Sequence, residues 1–486
     1  MILRITGHDF HYECENICRV FFPDEKITVV TGDEGEDSRK VAAVYAPPEA
    51  CVTAVIDGET RRLETVTSPE KAELDIAKLI FRALSDITGY MPPWGVLTGV
   101  RPAKLMLSLI EDSGEEEAVR YFTDDLLVKP AKASLALSVA GTEKRIVDSA
   151  RPESFSLYIG IPFCPSRCSY CSFVSHSIEN PNAKKLLPGY VEKLALEIAE
   201  TGRIARETGL KLESIYFGGG TPGVLEPSQL DELMCAIERN YDSGSLREYT
   251  VEIGRPDTVT PAKLAMMKLH GVDRISINPQ TFSEKTLELI GRRHSPGKTL
   301  EAYRLASAYG FSVINMDLIA GLPGETAETF AESLDTAISL SPGNITVHTL
   351  ALKRSSTLGT QGYTVQSGEE AEKMLAYAGT ALPAAGYYPY YMYRQSKCVG
   401  NLENVGWCKE GKEGFYNVIM MEEAHTVLAC GAGAVTKLCE PQGKYVERIF
   451  NYKYPYEYLS GFDELIARKS RIPEFYRERM RTDGAE

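Results

Sequence analysis

The sequence predicts an α/β fold: a partial (β/α)6 barrel of the TIM type, with an N-terminal α+β accessory domain and a C-terminal cap. Two observations lead to this prediction. From residue 156 onward, short apolar runs alternate with amphipathic stretches, which is the pattern of βα units. The chain also has 486 residues, more than one hydrophobic core usually fills. We expect the accessory domain over residues 1–150, the barrel over 151–385 and the cap, or substrate region, over 386–486.

Six apolar runs in the middle of the chain predict the strands of the barrel. They are SLYIGIP (156–162), SIYFGGG (214–220), YTVEIG (249–254), RISINPQ (274–280), SVINMDLIAG (312–321) and NITVHTL (344–350). Intervening segments such as LDELMCAIERN carry apolar residues at spacings of three and four, which indicates helices. Six such units form a barrel that stays open on one side.

The flanking regions show other patterns. Before residue 150, short β-like runs such as KVAAVYA and CVTAVID come first, and helical segments follow near 69–90 and 101–112. This region carries no catalytic signature, so we interpret it as an accessory domain. After residue 385 the chain reads GYYPYYMYRQSK, GNLENVGW and the glycine-rich GAGAVTK, which we interpret as a cap.

Composition and charge exclude several classes of function. The formal net charge of −14 argues against a broad nucleic-acid-binding surface, which needs a basic face. No apolar run approaches the roughly 20 residues of a membrane span. The opening residues, MILRITGHDFHYECEN, lack the basic and apolar regions of a secretory signal. We therefore expect a cytoplasmic protein with no membrane span and no nucleic-acid partner.

Three of the eleven cysteines are clustered, and they carry the functional prediction. Cys164, Cys168 and Cys171 form C-x3-C-x2-C within GIPFCPSRCSYCSF, in the loop that follows the first predicted strand. A structural zinc site is the alternative, but it needs four ligands, usually as two separated pairs, and no second pair occurs. Three thiolates suit a [4Fe–4S] cluster that leaves one iron open to a small ligand. The scattered cysteines are interpreted as free thiols in a reducing compartment.

The segment YIGIPFCPSRCSYCSF resembles the radical S-adenosylmethionine superfamily, and within it the oxygen-independent coproporphyrinogen III oxidases (dehydrogenases), in particular their HemZ-like branch. The resemblance covers about residues 150–450. It implies a [4Fe–4S] cluster held by Cys164, Cys168 and Cys171, and S-adenosylmethionine as cosubstrate. It also implies a partial barrel, in agreement with the strand pattern.

The resemblance further implies a set of residues around the cosubstrate. Glycines at the end of the second strand let the backbone approach a ligand closely, although a tight turn is the alternative. The family holds the amino group of S-adenosylmethionine there, and it places a tyrosine near the substrate six residues before the first cysteine. The implied catalytic residue is Tyr158, and the implied cosubstrate contacts are Gly218, Gly219, Gly220, Thr221, Glu252, Gln280, Arg292, Asp317 and Ala351.

Two positions depart from the family pattern. Gly160 stands where a histidine is usual, and Phe173 stands where the best-known branch has a fourth cysteine. The first difference removes any imidazole role at that position. The second means that this protein's chemistry does not need a fourth thiol.

The reaction implied by the resemblance is the conversion of two propionates of coproporphyrinogen III to vinyl groups, giving protoporphyrinogen IX for haem biosynthesis. The implied partners are this porphyrinogen and an electron donor of the flavodoxin or ferredoxin type. The substrate's four carboxylates need local cations, and a tetrapyrrole could contact the aromatic run 387–393. The candidate cations are Arg292, Arg293, Lys353, Arg354, Arg394 and Lys397.

Two alternatives share the cysteine motif. Haem chaperones of the same family carry a histidine in a C-terminal segment that here reads NLENVGW, and only His348 and His425 lie beyond residue 300. The other alternative is a radical methyltransferase that acts on haem.

Overall fold

The computed structural model describes residues 1–32, 37–353, 356–360, 367–395, 397–440 and 445–482. Its first part is a five-stranded sheet in the order β2-β1-β3-β4-β5 with helices against it. In β4, buried and half-buried residues alternate, as expected for a sheet with one covered face. The elements are β1 (Ile2–Thr6), α1 (His11–Phe21), β2 (Thr28–Val30), β3 (Arg39–Ala46), β4 (Glu49–Ile56), β5 (Glu59–Val66), α2 (Ala72–Thr88), α3 (Pro102–Ser113), α4 (Glu115–Arg120) and α5 (Pro130–Val147).

The central part of the chain forms six neighbouring parallel strands with helices between them. All six predicted barrel strands are present, which confirms the α/β prediction. The strands are nearly fully buried because helices cover them, so each reads as a continuous apolar run. The elements are β6 (Ser154–Ile161), β7 (Phe163–Cys164), β8 (His176–Ser177), α6 (Pro181–Glu207), β9 (Lys211–Gly219), α7 (Pro227–Asn240), β10 (Glu248–Gly254), α8 (Pro261–Leu269), β11 (Arg274–Ile277), α9 (Glu284–Leu289), α10 (Pro296–Ala308), β12 (Val313–Ala320), α11 (Ala327–Leu340) and β13 (Asn344–Thr349).

The C-terminal part does more than cover the barrel, because its strands extend the central sheet at both edges. The sheet order is β14-β15-β13-β12-β11-β10-β9-β6-β16-β17-β18, an open arrangement across the described residues. Pairing β16 with β6 and β15 with β13 removes two exposed strand edges from the six-stranded unit. The elements are α12 (Thr357–Thr360), α13 (Gly368–Ala384), β14 (Tyr388–Arg394), β15 (Glu403–Cys408), α14 (Phe415–Glu422), β16 (Thr426–Cys430), β17 (Val435–Cys439), β18 (Val446–Phe450), α15 (Pro455–Ser460), α16 (Phe462–Arg468) and α17 (Arg471–Thr482).

The N-terminal region is joined to the sheet through buried polar contacts. Glu403 accepts a hydrogen bond from Trp94 Nε1 at 2.7 Å and pairs with Lys132 at 2.5 Å. Arg394 donates to the carbonyl oxygens of Leu97 at 2.6 Å and Gly99 at 3.2 Å. These groups are buried but paired, so they fix the position of the connector around Trp94. Among the described helices, none is both long and apolar enough to cross a membrane.

A buried carboxylate anchors the C-terminal helices to α6. Glu197 is 0% exposed; it pairs with Lys469 at 2.9 Å and accepts hydrogen bonds from Tyr458 Oη at 2.6 Å and Gly431 N at 2.8 Å. Each oxygen of the carboxylate therefore has a partner. A buried charge of this kind is stable only while its partners remain.

Lys469→Met should lower the free energy of unfolding by about 3–5 kcal/mol, because it leaves Glu197 charged and buried without a counter-ion. The midpoint of urea denaturation measures the effect. Lys298→Met is the matched control: Lys298 pairs with Glu301 at the surface, so its loss should cost about 1 kcal/mol or less. Equal midpoints for the two variants would contradict the anchoring role of Glu197.

Candidate functional site

A cavity of about 610 Å³ opens at the carboxyl ends of the six parallel strands. This is the end where barrel enzymes of this type place their sites, because the βα loops converge there. The cavity brings together nearly all of the predicted site residues from separate strands. Those that line it are Tyr158, Cys164, Cys168, Cys171, Gly219, Gly220, Thr221, Glu252, Gln280, Arg292, Asp317 and Ala351. Gly218 lies just below the lining, against Tyr216, Tyr158 and Glu252.

The cysteine loop (residues 164–175) is closed by a two-stranded pairing of β7 with β8, in which Cys164 lies opposite Ser177. A hydrogen bond from Cys171 N to Cys168 O at 3.2 Å tightens the turn, and Ser169 N donates to Ile290 O at 3.0 Å. Burial raises the pKa of Cys164 and raises that of Cys171 to about 11. These thiols therefore stay protonated and unreactive unless a metal takes the place of the proton.

The donor set fits an iron–sulfur cluster better than a single ion. Around one tetrahedral zinc ion, with bonds of about 2.3 Å, thiolate sulfurs lie about 3.8 Å apart. Among the described residues, one group of three metal-ligating side chains has its ligand atoms all within 4.8 Å of one another, and it lies elsewhere in the fold. The sulfurs of Cys164, Cys168 and Cys171 are therefore not all within 4.8 Å of one another. Three spread thiolates can each bind a different iron of a cube.

The glycine segment (Gly218–Thr221) lies directly against the cysteine loop. A Cβ added to Gly220 would lie 2.5 Å from Phe163 O and 3.0 Å from Cys164 Sγ, so no other residue fits there. Thr221 Oγ1 donates to Cys164 Sγ at 3.4 Å. The backbone of this segment is thus placed beside the sulfur of the first predicted ligand.

Buried polar atoms without protein partners line the cavity beside the glycine segment. They include Asn278 Oδ1, Gln280 Oε1 and Arg292 Nε. Arg292 donates from its other nitrogens to Asn278 O at 2.7 Å and Tyr170 Oη at 3.2 Å. Gln280 has a φ of 69°, a conformation unusual for a residue with a side chain. Unsatisfied buried groups and backbone strain are both typical of a ligand site.

Acidic groups form the next part of the cavity wall. Burial raises the pKa of Glu252 to about 7, although the hydrogen bond from Tyr216 opposes the shift. Burial would raise the pKa of Asp317 too, but His348, 3.8 Å away, and the side chains of Asn315 and Thr346 together hold that pKa below its usual value. Asn315 Nδ2 also donates to Asp317 at 2.7 Å. Near neutral pH, Asp317 is therefore charged while Glu252 is poised between two protonation states.

Tyrosine rings cover one side of the cavity. Tyr216 stacks on Tyr416 with ring centroids 4.3 Å apart, and Tyr158 stacks on the same pair at 6.4 and 6.3 Å. From the predicted aromatic run, Tyr391 and Tyr393 line the cavity, because alternate residues of β14 face it. The sequence pattern did not single out Tyr216 or Tyr416.

The candidate cations lie in different surroundings. Arg292 and Lys353 line the cavity. Arg293 is exposed and pairs with Glu179, and Lys397 is exposed outside the cavity lining.

The structure corrects the interpretation of Arg394 as a cation for the substrate. Its guanidinium donates hydrogen bonds to backbone carbonyl oxygens and lies over the ring of Trp94. Arg354 lies outside the described residues. Sequence reasoning missed Arg167 and Arg255, which also line the cavity; Arg255 is held in place by Asp257 at 2.9 Å.

Comparisons with known proteins agree with this site. The model of the radical SAM superfamily matches residues 158–337. The oxygen-independent coproporphyrinogen-III oxidase-like protein HemZ of Bacillus subtilis is 34% identical, with 98% of each chain covered. The haem chaperone HemW of the same organism is 36% identical over 41% of this chain and 51% of its own. The solved structure of coproporphyrinogen III oxidase (HemN) from Escherichia coli, described as a radical SAM enzyme, has a TM-score of 0.52 and 23% identity, covering 67% of this chain and 72% of that one.

The chain belongs to the radical S-adenosylmethionine superfamily, and within it to the group of oxygen-independent coproporphyrinogen-III oxidase-like proteins. The cofactors predicted from the sequence, a [4Fe–4S] cluster and S-adenosylmethionine, are those of this superfamily, so that prediction is confirmed. The predicted roles of the individual lining residues remain predictions.

Cys168→Ala should abolish iron binding, because two thiolates cannot hold the cluster. Iron and sulfide per chain in anaerobically prepared protein measure the effect. Cys51→Ala is the control: Cys51 lies on β4 of the first sheet and should leave the iron content unchanged. A full cluster in Cys168→Ala would show that the ligand set is wrong.

The affinity for S-adenosylmethionine should fall about fivefold from pH 7 to pH 6 if the carboxylate form of Glu252 binds the cosubstrate. The sign follows from the pKa of about 7: below it, the carboxylate must first lose a proton. Anaerobic equilibrium dialysis measures the affinity. Glu252→Gln cannot titrate, so its affinity should be lower and nearly flat over this range. An unchanged slope in the variant would assign the pH dependence to another group.

Proposed function

We propose that this protein oxidatively decarboxylates two propionates of coproporphyrinogen III without oxygen, giving protoporphyrinogen IX. Each propionate loses one hydrogen atom to the 5′-deoxyadenosyl radical, its carboxylate as carbon dioxide and one electron to a one-electron acceptor, and a vinyl group remains. The observation that carries the proposal is the cavity itself, where the cysteine loop and the glycine segment face a wall of tyrosines. The full-length similarity to a relative named as coproporphyrinogen-III oxidase-like supports this choice of substrate.

In this proposal the cofactors are held by the residues around the glycine segment. Cys164, Cys168 and Cys171 bind the cluster, and the unpartnered oxygens of Asn278 and Gln280 accept hydrogen bonds from the cosubstrate. When bound, the reduced cluster and S-adenosylmethionine supply a 5′-deoxyadenosyl radical that takes a hydrogen atom from an unactivated carbon. The chain must aim one propionate C–H bond at that position and keep water out.

The tyrosines and the cations have different tasks in substrate binding. The rings of Tyr158, Tyr216 and Tyr416 present apolar faces to the tetrapyrrole. Lys353 can neutralise a propionate at the rim, and within the described residues it forms no ion pair that would compete. Tyr158, whose hydroxyl lies against Gly219, is proposed to orient the reacting side chain. Electrons would come from a protein of the flavodoxin or ferredoxin type, and Phe173, 68% exposed, offers it an apolar contact on the cysteine loop.

A haem chaperone is the second candidate. Relatives of that name align with part of this chain, and the cavity contains His348, Met420 and Met421, side-chain types that bind haem iron. Against it, the segment NLENVGW contains no histidine, and its residues 402–407 are buried in or beside β15. A carrier would keep haem in this cavity without chemical change.

The deciding assay mixes the anaerobic protein with coproporphyrinogen III, S-adenosylmethionine and reduced flavodoxin, and resolves the porphyrins by mass. We expect the loss of two carbon dioxide molecules per substrate and a 5′-deoxyadenosine product. Cleavage of the cosubstrate without vinyl formation would contradict the substrate assignment. Stoichiometric retention of haemin without turnover would instead favour the chaperone.

Lys353→Gln should raise the KM for coproporphyrinogen about tenfold with little effect on kcat, because one charge-assisted contact to a carboxylate is lost. Steady-state assays over a range of substrate concentrations measure both constants. Lys397→Gln is the matched control, since Lys397 is an exposed lysine outside the cavity lining. Equal KM values for the two variants would remove Lys353 from the substrate site.

A further inference from the structure

A second cluster of metal-ligating side chains lies outside the cavity, between α7 and α8. Asp231 and Cys235 are four residues apart on α7, so their side chains lie on one face of the helix. His270 follows the last residue of α8 and meets this face. One ligand atom from each of the three residues lies within 4.8 Å of the other two.

The distances in the cluster fit a single small cation. His270 Nε2 lies 2.9 Å from Asp231 Oδ1, and Cys235 Sγ lies 3.8 Å from the same oxygen. Ligand atoms around a tetrahedral zinc ion, with bonds of about 2.0–2.3 Å, lie roughly 3.4–3.6 Å apart. These two separations therefore differ from those of a zinc coordination sphere by about half an ångström or less, and the third, between Cys235 and His270, lies within 4.8 Å.

The surroundings of His270 are those of a metal-binding histidine. Its side chain is only 5% exposed, and Nδ1 lies 2.7 Å from Glu238 Oε1, one further turn along α7. A carboxylate on Nδ1 orients the ring, and Nε2, which contacts Asp231 Oδ1 at 2.9 Å, would exchange that contact for the metal. Asp231 is 45% exposed, which leaves a fourth position open to water.

We propose that Asp231, Cys235 and His270 form a second metal site, for a divalent cation of the zinc type, with Glu238 orienting the histidine. A thiolate and a carboxylate together balance the charge of the ion. The combination of sulfur, imidazole and carboxylate ligands selects zinc over magnesium or calcium. The site joins two neighbouring helices of the barrel.

The place of this site in the fold separates it from the radical chemistry. In a βα unit the helix runs back toward the start of its strand, so Cys235 and Glu238, in the second half of α7, lie nearer the amino ends of the strands than Asp231 does. His270 comes just before β11 and is at the same end. The cavity lies at the opposite end, so the ion would stabilise the contact between α7 and α8 and take no part in turnover.

The test uses full-length protein with its iron–sulfur cluster, incubated anaerobically with Zn²⁺ and freed of unbound metal. Zinc and iron per chain are measured together by mass spectrometry. We expect one zinc in the wild type and its loss in Cys235→Ser and in His270→Gln, with the iron retained in both. Retained iron shows that the variants are folded. Zinc X-ray absorption should show one sulfur neighbour at about 2.3 Å.

Three further variants test whether zinc binding belongs to this cluster alone. Glu238→Gln should weaken zinc binding about 10–100-fold without abolishing it, as expected for a residue that orients a ligand. Cys51→Ser should bind zinc like the wild type. Cys168→Ala should lose iron and keep zinc. Zinc that persists in Cys235→Ser and His270→Gln, or that disappears in Cys168→Ala, would overturn the proposal.

Discussion

The hydrogen-bonded register between β6 and β9 is the constraint on which the site depends. It pairs Gly160 with Gly218 and Ile161 with Gly219, so the two strands end side by side. Beyond the strands, Gly220 N donates to Ile161 O and Thr221 N donates to Phe163 O, both at 2.8 Å. The cysteine loop and the glycine segment therefore leave the sheet in contact. A shift of this register by one residue would turn every side chain of the strand to its other face.

The remaining wall of the cavity follows from the same parallel arrangement. Three later strands place polar groups on the cavity wall: Glu252 from β10, Asp317 from β12 and His348 from β13. Because these groups are withdrawn from water, their charges interact strongly, and the His348–Asp317 pair keeps one carboxylate ionised beside another whose pKa is near 7. One cavity thus holds a fixed negative charge and a titratable one.

The features that the sequence alone predicted are those that depend on local patterns along the chain. The barrel strands are buried on both faces, so they appear as apolar runs, and the three cysteines are close in sequence. β5 was missed because it is an edge strand with mostly exposed side chains, reading ETRRLETV. The pairing of β16 with β6 joins residues more than 250 positions apart, and no local signal reports it.

Side-chain partners were the least predictable part. Arg394 is basic and close to an aromatic run, but carbonyl groups of the N-terminal region occupy it. Tyr416 reaches the cavity from α14, and Asp231, Cys235 and His270 meet only when two helices pack together. These are long-range contacts, which depend on the completed fold.

The central claim is that three cysteines hold an iron–sulfur cube whose fourth iron is open to S-adenosylmethionine beside the glycine segment. Electron paramagnetic resonance of the reduced, anaerobically prepared protein tests it most directly. The account predicts a [4Fe–4S]⁺ signal that changes shape when S-adenosylmethionine is added, because the cosubstrate binds the open iron. A signal that S-adenosylmethionine leaves unchanged, in protein that carries a full cluster, would contradict the account.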